Sequence, residues 1–405
     1  MTIRDVERIR RNQRALVDAG LDALVCALPS NVLLLSGYWP VVGTSVAVVT
    51  REGAVGLAVP VDEQDLAAAG WADVVEPFTP ASVNDLRPLP ALLSPALARI
   101  FTRGGIRGAR VGFERGPMLE PSSYAGTNRY ITVLRELLPE CCPGADLHAA
   151  DDVLLALRAV LTPLELAGVR KACRVAEDAF RAGAASIVPG ATERDVASAF
   201  RATLAAYADA YGTGSARTGG FVFCMSGPNA ALADRAYART RGRRIEAGDL
   251  VMVHCNSFVN GLWTDITRTY QPGPSEDGER DLFEAVLAAR RAGLEAIEPA
   301  VRARDVDWAV RDVLVRAGFG PRFTHGTGHG VGFAAIDHNA RPRLHPHSDD
   351  VLQPGMVFNV EPAIYLEGRG GVRHCDLVAV HPGGVELLTP FHSLLGELAP
   401  QLVAV

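Results

Sequence analysis

Between residues 226 and 376, five short segments interrupt apolar, strand-like runs with glycine, histidine and carboxylate. They are Ser226-Gly227-Pro228-Asn229, then Gly248-Asp249-Leu250-Val251 through Asp265-Ile266-Thr267-Arg268-Thr269, and His325-Gly326-Thr327-Gly328-His329-Gly330-Val331-Gly332. Pro354-Gly355-Met356-Val357-Phe358-Asn359-Val360-Glu361-Pro362 and Gly371-Val372-Arg373-His374-Cys375-Asp376 complete the set. Glu361 stands between Val360 and Pro362 at the end of an apolar run, so a strand there buries it. A buried carboxylate without a partner is costly, and a cation, a donor or a proton must meet it. His325 and His329 sit among glycines, whose small size lets the backbone approach a ligand closely. The five segments read as the walls of one pocket.

A chain of 405 residues exceeds one ordinary core, which implies two domains. With 48% hydrophobic and 21% charged residues it has the composition of a soluble globular protein. The net charge of −6 provides no basic field for nucleic acid or an anionic membrane surface. No stretch approaches the roughly 20 apolar residues a bilayer span requires. Met1-Thr2-Ile3-Arg4-Asp5 is mixed in charge and lacks an apolar signal region, so the expected location is the cytoplasm. The seven cysteines are scattered and odd in number. Cys26, Cys173 and Cys224 read as buried thiols. Cys141-Cys142, beside Pro143-Gly144, reads as a loop pair without a role.

Val6, Ile9, Leu16 and Val17 predict a helix over about residues 4–19, stopped by Gly20. Residues 23–28 predict a buried strand, and residues 45–50 and 54–59 a hairpin around Arg51-Glu52-Gly53. Arg110-Val111-Gly112-Phe113 is a further short strand. Strands alternating with helices predict an α/β domain at this end. A helix over 149–160 ends near Thr162-Pro163. The next starts with Thr162 as N-cap, Pro163 at the first position and Glu165 three past the cap, and runs to about Ala184. Helices are expected over 193–210, 276–298 and 304–317, and strands over 220–225, 250–270 and 356–380.

With these motifs in this order, the chain resembles the creatinase, aminopeptidase P and prolidase family. Leu21-Asp22-Ala23-Leu24-Val25 and Asn31-Val32-Leu33-Leu34-Leu35-Ser36-Gly37 follow that family's accessory domain, and Arg158 with Thr162-Pro163-Leu164-Glu165-Leu166 follows its entry into the catalytic domain. The resemblance implies an α/β (α+β) fold with two domains. An N-terminal creatinase-like α/β domain would cover residues 1–155. A C-terminal pita-bread domain, a curved antiparallel sheet flanked by helices, would cover 156–405.

Peptidases of this family hold two divalent cations on two Asp, one His and two Glu. Hard cations such as Mn²⁺ want oxygen donors, and bridging carboxylates let two of them share a hydroxide. Asp265 matches the second Asp, His329 the His and Glu361 the first Glu. The first Asp position is His254 and the last Glu position is Cys375. Asp234 stands where a proton-transferring His follows Ser-Gly-Pro-Asn. His338 matches a later His, past the insertion Phe333-Ala334-Ala335-Ile336-Asp337. Plainer readings stand beside these. His254 would be a hydrogen-bonded core histidine and Cys375 an inert thiol. Asp265 would be a solvated edge carboxylate or a cap for Thr267. Asp234 would pair with Arg235 at the surface and Arg268 with Asp376.

The expected catalytic residues are His329, Glu361, His254 and His338, with His325, Trp263 and Arg373 binding substrate. Asp265, His329, Glu361, Cys375 and His254 are the candidate metal ligands for at most one ion. The expected cofactor is none, or a single divalent metal, with Zn or Fe favoured over a Mn pair because thiol and imidazole are softer donors. The expected activity is hydrolysis of a C–N bond, amide or amidine, in a small amino-acid derivative or dipeptide-like substrate. The alternatives are a non-catalytic pita-bread binding module and a lyase on the same scaffold. The resemblance further implies a homodimer acting on a small molecule.

Overall fold

The computed structural model describes residues 4–80, 82–83, 87–106, 108–115, 131–206, 217–235, 238–274 and 277–391. The chain divides into two compact units, Met1–Arg158 and Ala159–Val405.

The first unit is built on six strands, β1 (Ala23–Cys26), β2 (Val46–Thr50), β3 (Val55–Pro60), β4 (Val74–Phe78), β5 (Arg110–Phe113) and β6 (Asp146–Ala149), in the order β4-β3-β2-β1-β5-β6. The expected hairpin is β2–β3, antiparallel, with Val49 opposite Val55. Helix α1 (Val6–Asp18) starts two residues later than expected because Asp5 caps it, accepting from the Arg8 amide. Pro29 starts α2 (Pro29–Ser36), which ends on Gly37 in the left-handed region. Helices α3 (Gln64–Ala67), α4 (Leu89–Arg103), α5 (Ile131–Cys141) and α6 (Asp151–Ala159) complete the elements of this half. Of the pair expected in a loop, Cys142 is in the turn and Cys141 is the last residue of α5. Cys141 lies against Ser94 of α4, while Cys142 Sγ donates to Ile106 O at 3.2 Å. Both extend the spacing of Leu134, Leu137 and Leu138 and are buried in the same core.

The second unit opens on α7 (Pro163–Gly183) through a complete capping box. Thr162 Oγ1 accepts from the Glu165 amide at 3.3 Å, and Glu165 accepts from the Thr162 amide at 2.8 Å. Helices α7 and α8 (Glu193–Ala206) cover an antiparallel sheet of β7 (Thr218–Ser226), β8 (Val251–Val259) and β10 (Ile266–Tyr270), with the two-residue β9 (Leu262–Trp263) on the edge of β8. Helices α9 (Asp277–Glu295) and α10 (Ala303–Arg316) pack with β12 (Ala363–Leu366) and β13 (Gly370–Arg373) on another core. The order β11-β14-β15 unites β11 (Val357–Val360), β14 (Asp376–His381) and β15 (Gly384–Leu387). All these pairings are antiparallel. The expected curved sheet is thus three hydrogen-bonded groups, stitched where Thr267 bridges Cys375. α8 ends at Ala206, and residues 207–210 of the expected helix lie outside the described residues.

Strand alternation sets up the site. Val251, Val253 and Cys255 of β8 face the α7–α8 core. Period two therefore turns Met252 and His254 to the opposite face.

Candidate active site

Each motif supplies a support as well as a wall. In Asp265-Ile266-Thr267-Arg268-Thr269, Ile266 joins the α7–α8 core. The threonines on the other face hold Arg373. Thr267 Oγ1 accepts from Arg373 Nε at 3.2 Å, and Thr269 Oγ1 accepts from the Arg373 amide and donates to its carbonyl, both at 3.0 Å. Arg268 donates to Asp376 at 2.6 Å, the pairing expected from sequence. Ser226 and Asn229 of the Ser-Gly-Pro-Asn segment both donate to the buried Glu193 carboxylate. That explains why the segment is polar although it lies inside the molecule.

The glycine-rich segment runs along β11. Glu361 donates its amide to Thr327 O at 2.8 Å, and Asn359 its amide to His329 O at 3.1 Å. This pairing needs a close approach: a Cβ on Gly328 would lie 2.0 Å from Asn359 O. Asp307 of α10 anchors the segment from behind, accepting from the Thr327 amide and hydroxyl at 3.0 and 2.8 Å. Arg311, paired with Asp307, donates to the His325 carbonyl.

These walls enclose a cavity of about 420 Å³. His254, Asp265, His325, His329, His338, Glu361 and Arg373 all line it, so seven expected site residues meet in one place. Asp234 lines it too. Its pairing with Arg235 at 3.0 Å is present, but Asp234 is nearly buried and also accepts from Thr324, so the expectation of a surface pair is corrected. Trp263 is not among the lining residues. It stacks on Phe221 at 5.5 Å and packs against Phe258 at 4.6 Å, an aromatic cluster that absorbs its ring. Cys375 is also absent from the lining; its Sγ donates to the Asp265 backbone carbonyl at 3.2 Å.

A hydrogen-bonded array forms the floor. His254 Nε2 lies 2.8 Å from Asp265 Oδ1, and Arg373 Nη2 lies 2.9 Å from His254 Nδ1. Asp265 Oδ2 accepts from Asn359 Nδ2 at 3.2 Å and faces His329 Nε2 at 3.3 Å. His329 Nδ1 donates to Gly330 O at 3.0 Å, and its amide donates to Asn359 Oδ1 at 2.7 Å. Higher on the wall, His325 Nδ1 donates to Gly326 O at 2.8 Å and its Nε2 accepts from Tyr365 Oη at 2.9 Å. Asn359 and Tyr365 were not singled out in the sequence. The available signal for Asn359 is alternation: Asn359 in β11 and Glu361, just past its end, are the polar positions of one face.

Burial alone would raise the Asp265 carboxyl, but its two histidines outweigh that and hold it far below the carboxylate range. Burial would lower His329, yet its bond to Asp265 and the charges of Asp265 and Glu361 lift it to about 9. His254 is lowered by burial, against the pull of Asp265. Burial, then the Arg373 charge, push His325 down to about 3. Burial lowers His338 as well, with help from His329, whose ring centroid is 5.2 Å away. Glu361 is raised to about 7 by burial, although the Arg373 charge opposes the shift.

The fold and these motifs match known proteins. The family model of the Creatinase/Prolidase N-terminal domain matches residues 8–160, and that of metallopeptidase family M24 matches residues 167–382, more than half of the chain. The chain belongs to metallopeptidase family M24. This M24 chain is 33% identical over 239 residues to a Xaa-Pro dipeptidase of Pyrococcus furiosus, a match covering 59% of the chain and 65% of that relative's length. It is 30% identical to the peptidase YqhT of Bacillus subtilis, with 69% and 72% covered. The solved prolidase of Pyrococcus horikoshii OT3 superposes with a TM-score of 0.75 at 26% identity, covering 96% of this chain and 99% of that one. A Xaa-Pro dipeptidase from Bacillus anthracis gives 0.76 at 25% identity, with 96% and 98% covered.

A metallopeptidase family implies divalent metal, and the donor set of this M24 chain departs from what a metal pair needs. Two hard cations need bridging carboxylates. Among the described residues the cavity lining carries three carboxylates: Asp234 is taken up by Arg235 and Thr324, and both Asp265 oxygens already meet protein donors, which leaves Glu361. Burial keeps the Cys375 thiol well above its ordinary value, so it remains a proton-bearing donor. Among the described residues, no group of three or more His, Cys, Asp or Glu is arranged to hold an ion. The residues do not fit a two-metal centre.

Proposed function

We propose that this chain is a hydrolase that breaks a C–N bond, amide or amidine, in a small amino-acid derivative or dipeptide-like substrate, without the standard pair of Mn ions. The observation that carries the reading is Glu361 on the wall of the cavity that holds the His254–Asp265–His329 array. About 420 Å³ suits a dipeptide-sized molecule. The similarity to a Xaa-Pro dipeptidase and a prolidase supports a substrate of that class.

In this reading Glu361, poised near neutrality, takes a proton from water as the water oxygen attacks the substrate carbon. His329, protonated beside Asp265, gives a proton to the departing nitrogen. A C–O bond forms, the C–N bond breaks, and return of the proton from Glu361 to His329 resets the site. His254 fixes Asp265, and neutral His338 lies beside His329 as a relay. The reading takes no cofactor or a single divalent metal, Zn or Fe in preference to a Mn pair. No step above is routed through one. The protein is read as a cytoplasmic homodimer; no helix of the described residues is long and apolar enough to cross a membrane.

The test is a panel of Xaa-Pro dipeptides and N-carbamoyl and guanidino amino acids, assayed in EDTA and with added Mn²⁺. Turnover without Mn²⁺, either in EDTA or after EDTA removal and one equivalent of Zn²⁺ or Fe²⁺, is expected, abolished by Glu361→Gln. Turnover that appears only with Mn²⁺, or none on any substrate, defeats the reading.

A further inference from the structure

Arg373 arises from the end of β13 and is 5% exposed. A guanidinium has donors and no acceptor. Where Arg373 Nη2 meets His254 Nδ1 at 2.9 Å, the imidazole nitrogen must therefore be the acceptor. His254 then carries its proton on Nε2, where Asp265 Oδ1 receives it at 2.8 Å. The two contacts agree on one neutral tautomer, and the order of cause runs from Arg373 through His254 to Asp265.

That tautomer has a consequence for cations. For His254 to ligate a metal through Nε2, its proton must move to Nδ1. There it would point at an Arg373 N–H, donor against donor. Rotating Arg373 away is opposed by its Nε bond to Thr267 Oγ1, on a backbone that Thr269 of β10 fixes in place. Asp265 is closed in the same way. Its Oδ1 is taken by His254 and its Oδ2 by Asn359 and His329, at 1% exposure. An ion binding Asp265 must displace at least one of these donors.

We infer that Arg373 is a positioning residue that locks His254 as an Nε2–H donor and thereby closes the Asp265 pocket to divalent cations. This goes beyond the hydrolase reading, since it concerns the state of the cavity whatever its substrate.

The experiment uses full-length protein labelled with ¹⁵N-histidine, stripped with EDTA and dialysed. Long-range ¹H–¹⁵N spectra at pH 7.5 are recorded before and after two equivalents of Zn²⁺, with a parallel calorimetric titration. The expected wild-type result is the neutral Nε2–H pattern for His254, unmoved by Zn²⁺, with no saturable site at micromolar metal. Arg373→Met is expected to give two exchanging tautomers and at least tenfold tighter Zn²⁺ uptake, with His254 shifting on binding. A wild-type His254 protonated on Nδ1, or a saturable Zn²⁺ site that shifts His254 or His329, overturns the inference. So does an Arg373→Met protein that keeps the single tautomer and refuses Zn²⁺. If that variant fails to fold, the wild-type spectra and titration decide alone. Turnover is not read, so a bound Zn²⁺ would sink the lock while leaving C–N hydrolysis standing.

Discussion

Cys375 Sγ donates to the backbone carbonyl of Asp265 across 3.2 Å, with no exposure to solvent. The residue that the family resemblance places among metal ligands thus acts on the main chain of its neighbour. The reason is geometric. Cys375 and Thr267 bridge two strands, the Cys375 amide donating to Thr267 O at 3.0 Å, and this turns the sulfur toward the start of β10.

Cys375→Ala therefore tests whether the sulfur belongs to the chemistry. It removes one buried atom and one weak hydrogen bond, a loss of about 1 kcal/mol in the range for small core deletions. The expected outcome is a lower urea midpoint with kcat/KM within about threefold of wild type. A hundredfold fall in kcat would mean that the thiol takes part in the reaction.

Glu361→Gln keeps the shape of the wall and removes the group that titrates near pH 7. Proton transfer by one positioned side chain is worth roughly 10²–10⁴-fold, so kcat is expected to fall by that order. The pH profile is the sharper measurement. Activity of the wild type is expected to rise through about pH 7, as Glu361 becomes a base, and to fall through about pH 9, as His329 loses its proton. In Glu361→Gln the lower limb should vanish and the upper one stay. A variant that keeps both limbs excludes Glu361 as the base.

Asp307 lies outside the cavity lining, yet it holds the glycine-rich segment through Thr327 and through Arg311. Asp307→Asn weakens that anchor and leaves Arg311, a quarter exposed, without its carboxylate. The loss is expected to be about 2 kcal/mol, less than for a fully buried pair because water reaches Arg311. Because His325 and His329 ride on the segment, kcat should drop while the Glu361 limb of the pH profile stays in place. Unchanged kinetics would show that the segment holds its position without Asp307.

Local features of this chain were legible because their causes lie within a few residues. Thr162, Pro163 and Glu165 announce the start of α7, and Arg51-Glu52-Gly53 the β2–β3 hairpin. The convergence of His254, Asp265, His329 and Glu361 was legible through the order of their motifs. The role of Arg373 was not. It depends on Thr267 and Thr269, which are about a hundred positions away in the chain and become neighbours only when β10 meets β13. Trp263 failed for a similar reason: its place beside Asp265 in sequence says nothing of Phe221 and Phe258, which claim its ring. Pro143-Gly144 marks the turn that holds Cys142, but the burial of Cys141 and Cys142 follows from the apolar stripe of α5 before them.

Thr162→Ala tests the clearest of the local signals. Losing the N-cap hydroxyl strands the Glu165 amide and leaves half of the capping box. The cost for such caps is about 1 kcal/mol. Turnover should be unchanged, and the unfolding midpoint of the second unit should fall. A neutral result would mean that the reciprocal Glu165 contact carries the cap alone.

The last prediction concerns stability against pH. His329 is held as an imidazolium by Asp265, and its folded value, about 9, is raised from the ordinary 6.5. A raised histidine stabilises fully below the unfolded value, and that contribution is lost as pH rises through the folded one. Asp265, depressed in the folded state, does the reverse: its contribution is present above the ordinary carboxylate range and lost only in acid. Between about pH 7.5 and 9.5 the Asp265 contribution is constant, and Glu361, raised to about 7, has largely ionised. The seven buried thiols, all pushed up by burial, also lower stability there, because they ionise only in the unfolded chain, so the His329 share is the difference between wild type and a His329 variant. Urea unfolding across it should show wild type losing stability steadily. His329→Gln, which keeps a side-chain amide facing Asp265, should be less stable at pH 7.5 and should lose less stability than wild type up to pH 9.5, its remaining decline coming from the buried thiols. Parallel declines in the two proteins would show that His329 is not the imidazolium that anchors Asp265.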